Sequence, residues 1–176
     1  MIKFRKKYIL FILLSGCIAL GACRKTSKSR GGSKTTQAKV SANTSVSPAV
    51  TKVLASAKSY IGTPYRMGGT TRAGMDCSGL ICTSFKSIDQ SLPRTSQEQS
   101  RLGRKISLSD LREGDLVFFT DKKGRSKVTH VGLVTRVNGK SNVKFIHAST
   151  RLGVVESDLY ADYYLSVFLF AVRIIN

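Results

Sequence analysis

The chain has 176 residues, of which 41% are apolar, and its 29 Lys and Arg against 10 Asp and Glu give a formal charge of +19. This apolar content excludes a chain that is disordered throughout, and the presence of only one long apolar run excludes a polytopic membrane protein. The charge is uneven, since residues 1–75 hold 14 basic side chains and the first carboxylate is Asp76. We therefore expect one mildly basic domain preceded by a strongly basic segment.

The N-terminal segment has the pattern of an export signal. Residues 1–7 carry four basic side chains, and residues 8–22 are uncharged and rich in Ile, Leu and Phe. These fifteen residues, at ~1.5 Å each in a helix, fall short of a ~30 Å hydrocarbon core, which favours a signal peptide over a membrane-spanning helix. Small residues precede Cys23, and this ending resembles the lipobox of bacterial lipoproteins, in which the cysteine is lipidated. Cys17 is a second candidate for lipidation, and an ordinary signal peptide is the simpler alternative.

Residues 24–47 consist mainly of Ser, Thr, Lys, Ala and Gly. Such a segment cannot bury enough apolar surface to offset the entropy of ordering, so we expect a flexible basic linker. It is either a solvated spacer or a tether that rests on an anionic surface. The sequence thus divides into a signal peptide with a lipobox at 1–23, a linker at 24–47 and a folded domain at 48–176.

The first half of the folded domain has helical patterns. Pro48 suits the first turn of a helix. The apolar residues that follow recur on one helical face: Val50, Val53, Leu54, Ala57 and Ile61. Residues 61–76 contain four glycines and a proline and are expected to form a loop. Helical spacing resumes from Cys77 to about Asp89, and Thr-Ser-Gln-Glu at 95–98 is a capping box for a short helix that ends near Gly103.

After Gly114 the sequence changes to β-rich runs separated by turn residues. Five strands are predicted, at residues 116–120, 129–137, 143–149, 154–156 and 165–174. Helices followed by a meander of strands predict an α+β domain, in which N-terminal helices pack on an antiparallel β-sheet of about five strands.

The Asn138-Gly139 dipeptide is the strongest hairpin signal in the chain. A two-residue turn there would pair Val137 with Lys140. The same register would place His130 directly opposite His147, on one face of adjacent strands and within hydrogen-bonding reach. These are the only two histidines in the sequence. A longer loop that shifted the register by one residue would instead place them on opposite faces.

A histidine pair of this kind belongs either to a metal site or to an acid–base relay. A zinc site would need further ligands, with Cys77 as the candidate, whereas a cysteine nucleophile with a histidine base needs no metal. Cys77 begins a predicted helix, where free N–H groups, the helix dipole and a nearby imidazolium favour the thiolate. Cys82 lies too far along the same helix for a disulfide and is expected to be a buried small residue. Unpaired thiols in an exported domain favour the nucleophile.

Seven short motifs occur in order along the domain. They are Gly62-Thr63-Pro64-Tyr65-Arg66, Gly68-Gly69, Asp76-Cys77-Ser78-Gly79, Leu92-Pro93-Arg94, Gly114-Asp115-Leu116-Val117-Phe118-Phe119, His130-Val131-Gly132 and Phe145-Ile146-His147-Ala148-Ser149. This ordered set resembles the NlpC family, papain-like peptidases of bacterial peptidoglycan, many of which are lipoproteins. The resemblance covers about residues 50–176 and implies a papain-like fold.

The resemblance also implies a Cys–His–His triad formed by Cys77, His130 and His147. Cys77 would be the nucleophile that forms a thioester, and His130 would be the general base and then the acid for the leaving amine. His147 would hold the His130 ring in its productive orientation. The oxyanion would be met by the Cys77 N–H, with the Tyr65 hydroxyl as a further donor.

Three more residues are assigned to the substrate cleft by the resemblance: Asp76, Ser78 and Arg94. Simpler roles stay open for two of the cleft residues. Tyr65 could pack only within its own loop, and Arg94 could form a structural salt bridge with Asp76 or Asp115. The segment 161–170 departs from the more polar, Trp-containing ending of close relatives, which leaves the edge of the cleft undefined.

The predicted function is hydrolysis of peptidoglycan stem peptides by a cysteine endopeptidase that uses no metal or other cofactor. In the family the bond is D-glutamyl–diaminopimelate or D-Ala–diaminopimelate, and the sequence does not discriminate them. The expected partners are peptidoglycan and, through the lipid anchor, a membrane, but not nucleic acid, because the excess charge lies outside the domain. We expect a monomer in the cell envelope, and Arg24 after the lipidated cysteine favours the outer membrane. The alternative is a non-catalytic peptidoglycan-binding lipoprotein.

Overall fold

The structure is a computed structural model that describes residues 46–139 and 141–176. In this part of the chain the helices are α1 (Pro48–Lys58), α2 (Cys77–Phe85), α3 (Ser96–Gln99) and α4 (Asp162–Val167), with 3₁₀ turns at Lys86–Ile88 and Leu108–Asp110. The strands are β1 (Thr70–Thr71), β2 (Gly74–Met75), β3 (Arg104–Ile106), β4 (Leu116–Phe119), β5 (His130–Val137), β6 (Val143–Ser149), β7 (Gly153–Asp158) and β8 (Phe168–Arg173). Among these residues no helix is both long and apolar enough to span a bilayer.

The helix boundaries follow from local side-chain chemistry. Pro48 is the first residue of α1, and the Ser47 hydroxyl accepts a hydrogen bond from the third N–H of that helix. The predicted capping box is present at α3, where Thr95 and Glu98 satisfy each other's backbone N–H groups. These caps explain why both starting points could be predicted from the sequence.

The main sheet has six strands in the order β3-β8-β4-β5-β6-β7, and every neighbouring pair is antiparallel. Alternate residues of the central strands face opposite sides, as the period of two requires. One face packs against α1 and α2, and its buried strand residues are Leu116, Phe118, Val131, Leu133, Ile146 and Ala148. The other face packs against α4 and the segment 106–111, and its buried strand residues are Val117, Phe119, Val134, Val143 and Phe145. The prediction of an α+β domain with helices on an antiparallel sheet is confirmed.

Four details differ from the sequence prediction. The sheet has six strands rather than about five, because the short β3 pairs with β8 at the sheet edge. The loop at 61–76 contains a two-stranded hairpin, β1–β2. Ile61 is 51% exposed because α1 ends at Lys58. The predicted strand at 165–174 begins as a helix, and only Phe168–Arg173 is extended.

Candidate active site

Cys77 is the first residue of α2, and Asp76 is the N-cap of that helix. Asp76 Oδ1 accepts a hydrogen bond from the Gly79 N–H at 2.7 Å, which fixes the helix start. The Cys77 side chain is buried in the core between α2 and the sheet. The backbone N–H of Val131 in β5 is close enough to the Cys77 thiol to lower its pKa, so the thiol lies near the residue that follows His130.

The Cys77 thiol is protonated at neutral pH. Burial raises the pKa of Cys77, the Val131 N–H acts in the opposite direction, and the negative charge of Asp76 raises the pKa further. The N–H groups of the first helical turn also favour the thiolate, but the net effect is a raised pKa. The helix start does favour the thiolate, as expected, but burial outweighs this effect and the pKa of Cys77 is raised rather than lowered.

The two histidines meet through a register different from the predicted one. Val137 pairs with Val143 rather than with Lys140, so the β5–β6 hairpin has a loop longer than two residues. Thr135 then lies in a bulge between two register positions, and Leu133 pairs with Ile146. Relative to the predicted pairing, the β5–β6 register is shifted by three residues between the loop and the bulge. On the far side of the bulge, where the histidines lie, it is shifted by two. Because two is even, both histidines stay on the same face.

The imidazoles form a direct hydrogen bond. His130 Nε2 and His147 Nδ1 are 2.8 Å apart, and the two rings are nearly perpendicular. Burial lowers the pKa of His130 to about 4. Burial and the neighbouring His130 lower the pKa of His147 to about 3. Both rings are therefore neutral at neutral pH, and Nδ1 is the His130 nitrogen that is available to exchange a proton with a thiol.

Two hydroxyls contact the outer nitrogen of His147. His147 Nε2 lies 3.0 Å from Ser157 Oγ and 3.1 Å from the Tyr164 hydroxyl, and these two oxygens are 3.3 Å apart. Neither residue was identified from the sequence. Ser157 has no motif signal, and Tyr164 lies in α4, one residue before the segment 165–174 that the sequence predicts as a strand.

Arg94 binds the N-cap carboxylate of α2. Its Nη1 donates to Asp76 Oδ1 at 2.9 Å, and its Nη2 donates to Asp76 Oδ2 at 2.6 Å. Ser78 Oγ accepts from Arg94 at 2.9 Å and donates to Asp76 at 3.2 Å. The structure thus brings together all three residues that the sequence assigned to the cleft. Of the two salt bridges considered for Arg94, the one with Asp76 is formed.

The Asp76 carboxylate also holds the preceding loop. Its Oδ2 accepts from the Gly68 N–H at 2.7 Å. Burial raises the pKa of Asp76, but the hydrogen bonds from Arg94, Gly79 and Gly68 outweigh burial, and the net shift is downward. Asp76 is therefore ionised at neutral pH and joins the loop, the start of α2 and Arg94.

Tyr65 lies on the same side as the thiol. Its backbone forms an isolated bridge with Met75, and its ring packs against the core that contains Cys77. Burial raises the pKa of Tyr65, and Cys77 and Asp76 raise it further when they are ionised. The Tyr65 hydroxyl is therefore protonated at neutral pH and can donate a hydrogen bond, as an oxyanion donor must.

Gln99 is fully buried, and no motif in the sequence pointed to it. Its Nε2 donates to Ser78 O at 3.2 Å and to Pro93 O at 2.9 Å, and it lies 3.3 Å from Cys82 Sγ. Gln99 thereby ties α3 to the start of α2 and to the residue before Arg94. Cys82 is buried, as expected, and both it and Cys77 are free thiols. The sequence feature that could have pointed to Gln99 is its position directly after the capping box of α3.

A cavity of about 240 Å³ adjoins the histidine pair. Its walls are formed by Phe119, Thr120, Asp121, Thr129, His130, His147, Ser149, Thr150, Tyr163, Tyr164 and Val167. Hydroxyl and aromatic side chains predominate, and Asp121 supplies a carboxylate. The cavity thus offers hydrogen-bonding groups to a molecule beside His130.

Cys23 and Cys17, the candidate lipidation sites, lie outside the described residues. Within residues 46–139 and 141–176, no group of three or more His, Cys, Asp or Glu side chains is placed to hold a metal ion.

Comparison with known proteins identifies relatives across most of the domain. Residues 62–173 match the model of the NlpC/P60 family. The chain is 43% identical to a probable endopeptidase NlpC homolog of Haemophilus influenzae, over 70% of this chain and 62% of that protein. It is 42% identical to the probable endopeptidase NlpC of Escherichia coli, over 66% of this chain and 73% of that protein. A murein DD-endopeptidase/murein LD-carboxypeptidase, MepS of Escherichia coli, is 37% identical over 65% of this chain and 57% of that protein.

Solved structures agree with the sequence matches. The crystal structure of an NlpC/P60 family protein from Bacillus cereus superposes with a TM-score of 0.65 at 32% identity, covering 73% of this chain and 41% of that one. The family match, the identities and this shared architecture lead to one conclusion: the chain belongs to the NlpC/P60 family.

Proposed function

We propose that this protein is a cell-wall hydrolase, a cysteine endopeptidase that cleaves peptide bonds in peptidoglycan stem peptides. The observation that carries the proposal is the His130–His147 hydrogen bond of 2.8 Å beside a cysteine at a capped helix start. A nucleophile, a base and a residue that orients the base are the three parts that acyl transfer through a thiol requires. The relatives' names, which include endopeptidases of murein, support peptidoglycan as the substrate.

The proposed first step forms a thioester. The Cys77 proton moves to Nδ1 of neutral His130 as the sulfur attacks the peptide carbonyl carbon, and the carbonyl π electrons move to the oxygen. The Cys77 N–H and the Tyr65 hydroxyl donate to the oxyanion. When the C–N bond breaks, the His130 imidazolium gives its proton to the leaving amine, and the acyl group stays on the sulfur.

The proposed second step is hydrolysis. Water attacks the thioester carbonyl while its proton moves to His130 Nδ1. The C–S bond then breaks, and the proton returns to the Cys77 sulfur, so a carboxylic acid leaves and the resting thiol is restored. In this scheme the resting thiol and imidazole are both neutral, so His130 acts as a general base.

We also propose how the substrate lies. Arg94 and Asp76 form a charged wall on the α2 side of the thiol, suited to a stem peptide that carries both amines and carboxylates. The cavity beside His130 is placed for the leaving-amine portion, since His130 must protonate that nitrogen. D-glutamyl–diaminopimelate and D-Ala–diaminopimelate bonds both fit this scheme.

The decisive experiment incubates the full chain with purified peptidoglycan and identifies released fragments by mass spectrometry. Wild type and Cys82→Ser, which keeps a hydrogen-bonding group at the other buried thiol, are expected to release the same fragments. Cys77→Ala is expected to release none, and the fragment masses identify the bond. Binding without cleavage by all three would favour the non-catalytic binding protein, and equal cleavage by Cys77→Ala would refute the thiol mechanism.

The anchoring of the protein is a further part of this proposal. We propose that residues 1–23 are a lipoprotein signal peptide and that Cys23 carries the lipid, with 24–47 as the tether and the outer membrane as the site of residence. Mass spectrometry of the N-terminal peptide and membrane fractionation test this. Cys23→Ser is expected to lose the lipid and the membrane association, whereas the matched Cys17→Ser is expected to keep both; the reverse result would assign the lipid to Cys17.

A further inference from the structure

The His147 ring is held on every side. It is 2% exposed, and the Phe145 ring stacks on it at a centroid distance of 4.9 Å. Its Nδ1 faces His130, and its Nε2 faces both Ser157 and Tyr164. The ring therefore has hydrogen-bonding partners at both nitrogens, and its tautomer decides which nitrogen donates.

The proposed mechanism tolerates only one tautomer of His147. His130 must keep Nδ1 without a proton to accept the thiol hydrogen, so its neutral ring carries the proton on Nε2. That Nε2–H must donate to His147 Nδ1, which is possible only if Nδ1 carries no proton. The neutral His147 ring then carries its proton on Nε2 and needs an acceptor there. In the opposite tautomer, His147 would donate to His130 Nε2 and leave the His130 proton on Nδ1, the nitrogen that has to accept the thiol hydrogen in the proposed mechanism.

We propose that Ser157 and Tyr164 are positioning residues that together accept the Nε2–H of His147 and so keep its Nδ1 free for His130. This inference rests on the proposed function, because it assigns the outer end of the same relay. Ser157 lies on β7 and Tyr164 on α4, so the two hydroxyls come from different elements and meet at one nitrogen.

The two hydroxyls and His147 Nε2 form a triangle of contacts, so the hydroxyls can share the role of acceptor. Ser157 Oγ and the Tyr164 hydroxyl are 3.3 Å apart, so one can accept from His147 while the other donates to the first. Removal of either hydroxyl leaves one oxygen near 3 Å from Nε2. Removal of both leaves the Nε2–H buried without an acceptor, and the ring then gains by moving its proton to Nδ1.

Steady-state kinetics of the full chain test whether each hydroxyl can replace the other, so that the double variant loses more activity than the two single variants predict. Ser157→Ala and Tyr164→Phe are each expected to lower kcat by threefold or less, and the double variant by tenfold or more, with KM within twofold of wild type. Ser166→Ala and Tyr160→Phe remove a hydroxyl from the same region without contact to His147 and are the matched controls. A double variant as active as wild type, or one whose loss equals the product of the single losses, would overturn the inference.

Nuclear magnetic resonance reads the tautomer independently of activity. With only two histidines in the chain, ¹⁵N-histidine labelling gives two imidazoles to assign. His147 is expected to carry its proton on Nε2 in wild type and to gain Nδ1–H in the double variant. A wild-type His147 with its proton on Nδ1 would overturn the inference. A Cys77→Ala variant that stays active would instead refute the proposed function and leave the tautomer result standing.

Discussion

Replacement of Asp76 by Asn tests whether the charged wall positions the nucleophile. Asn keeps an oxygen that can cap α2 through the Gly79 N–H, so the cap itself survives. The amide nitrogen, however, places a donor against the donors of Arg94 and Gly68, which lie 2.6 Å and 2.7 Å from the present oxygens. The loop and Arg94 should therefore separate from the start of α2.

The chain contains a matched control. Arg173 and Asp115 form a second bidentate pair, at 2.7 Å and 2.8 Å, away from the thiol and the histidines. Their side chains are 9% and 1% exposed, against 40% for Arg94 and 12% for Asp76. Breaking a buried pair by removing one charge destabilises by about 3–5 kcal/mol, and this is the range expected for Asp115→Asn. For Asp76→Asn, solvent at Arg94 reduces the loss to about 2–3 kcal/mol.

Thermal unfolding measures the loss of stability, and peptidoglycan digestion measures the loss of activity. Both variants should unfold at a lower temperature than wild type, and the decrease should be larger for Asp115→Asn. At a temperature where all proteins are folded, Asp115→Asn should cleave like wild type, and Asp76→Asn should be at least tenfold slower, because its Cys77 helix start is no longer tied to Arg94. Wild-type cleavage by folded Asp76→Asn, or an equal loss in both variants, would refute this reasoning.

Three further predictions concern the histidines and their strands. Because burial lowers the pKa of His130 to about 4, and only the neutral ring accepts the thiol proton, kcat/KM should stay high as pH falls through 6 and decline near pH 4; a decline centred at the ordinary histidine pKa would contradict this. In Gly132→Ala a Cβ would lie 2.4 Å from the Phe145 ring, which stacks on His147, so we expect slower cleavage and a lower unfolding temperature, measured by digestion and circular dichroism. Deletion of Thr135 joins Val134 directly to Arg136, and because their partners Phe145 and Lys144 are already adjacent the ladder becomes regular, so the folded variant should keep both cleavage and the His–His hydrogen bond in the ¹⁵N spectrum; loss of both would contradict this register.

The parts of the fold that the sequence predicted are those with a local cause. Ser47 and Pro48 define the start of α1, Thr95 and Glu98 cap α3, and the apolar alternation of β6 gives its bounds, Val143–Ser149, without error. Each of these signals lies within a few residues of the element that it defines. The papain-like class followed from the order of these elements together with the family resemblance.

The parts that were missed depend on contacts between distant segments. Arg104–Ile106 is extended because it pairs with β8, about 70 residues later, and three residues carry no periodic signal of their own. The sequence predicts residues 165–174 as one strand, yet the first three of them belong to the helix Asp162–Val167. The Tyr164 ring of this helix packs on Phe145 and His147. Tertiary packing outweighed the β propensity of that run.

The histidine pair shows how a correct conclusion followed from an incorrect register. The sequence predicted a two-residue turn at Asn138-Gly139, and the actual loop shifts the pairing at Val137 by three residues. An odd shift alone would have placed His130 and His147 on opposite faces of the sheet. Thr135 restores the parity, because a bulge adds one residue to β5 and leaves a shift of two, which imidazoles on diagonal positions can span. The bulge residue is a buried Thr with no turn signal. The sequence therefore predicted that the histidines meet, but not the β-bulge that brings them onto the same face.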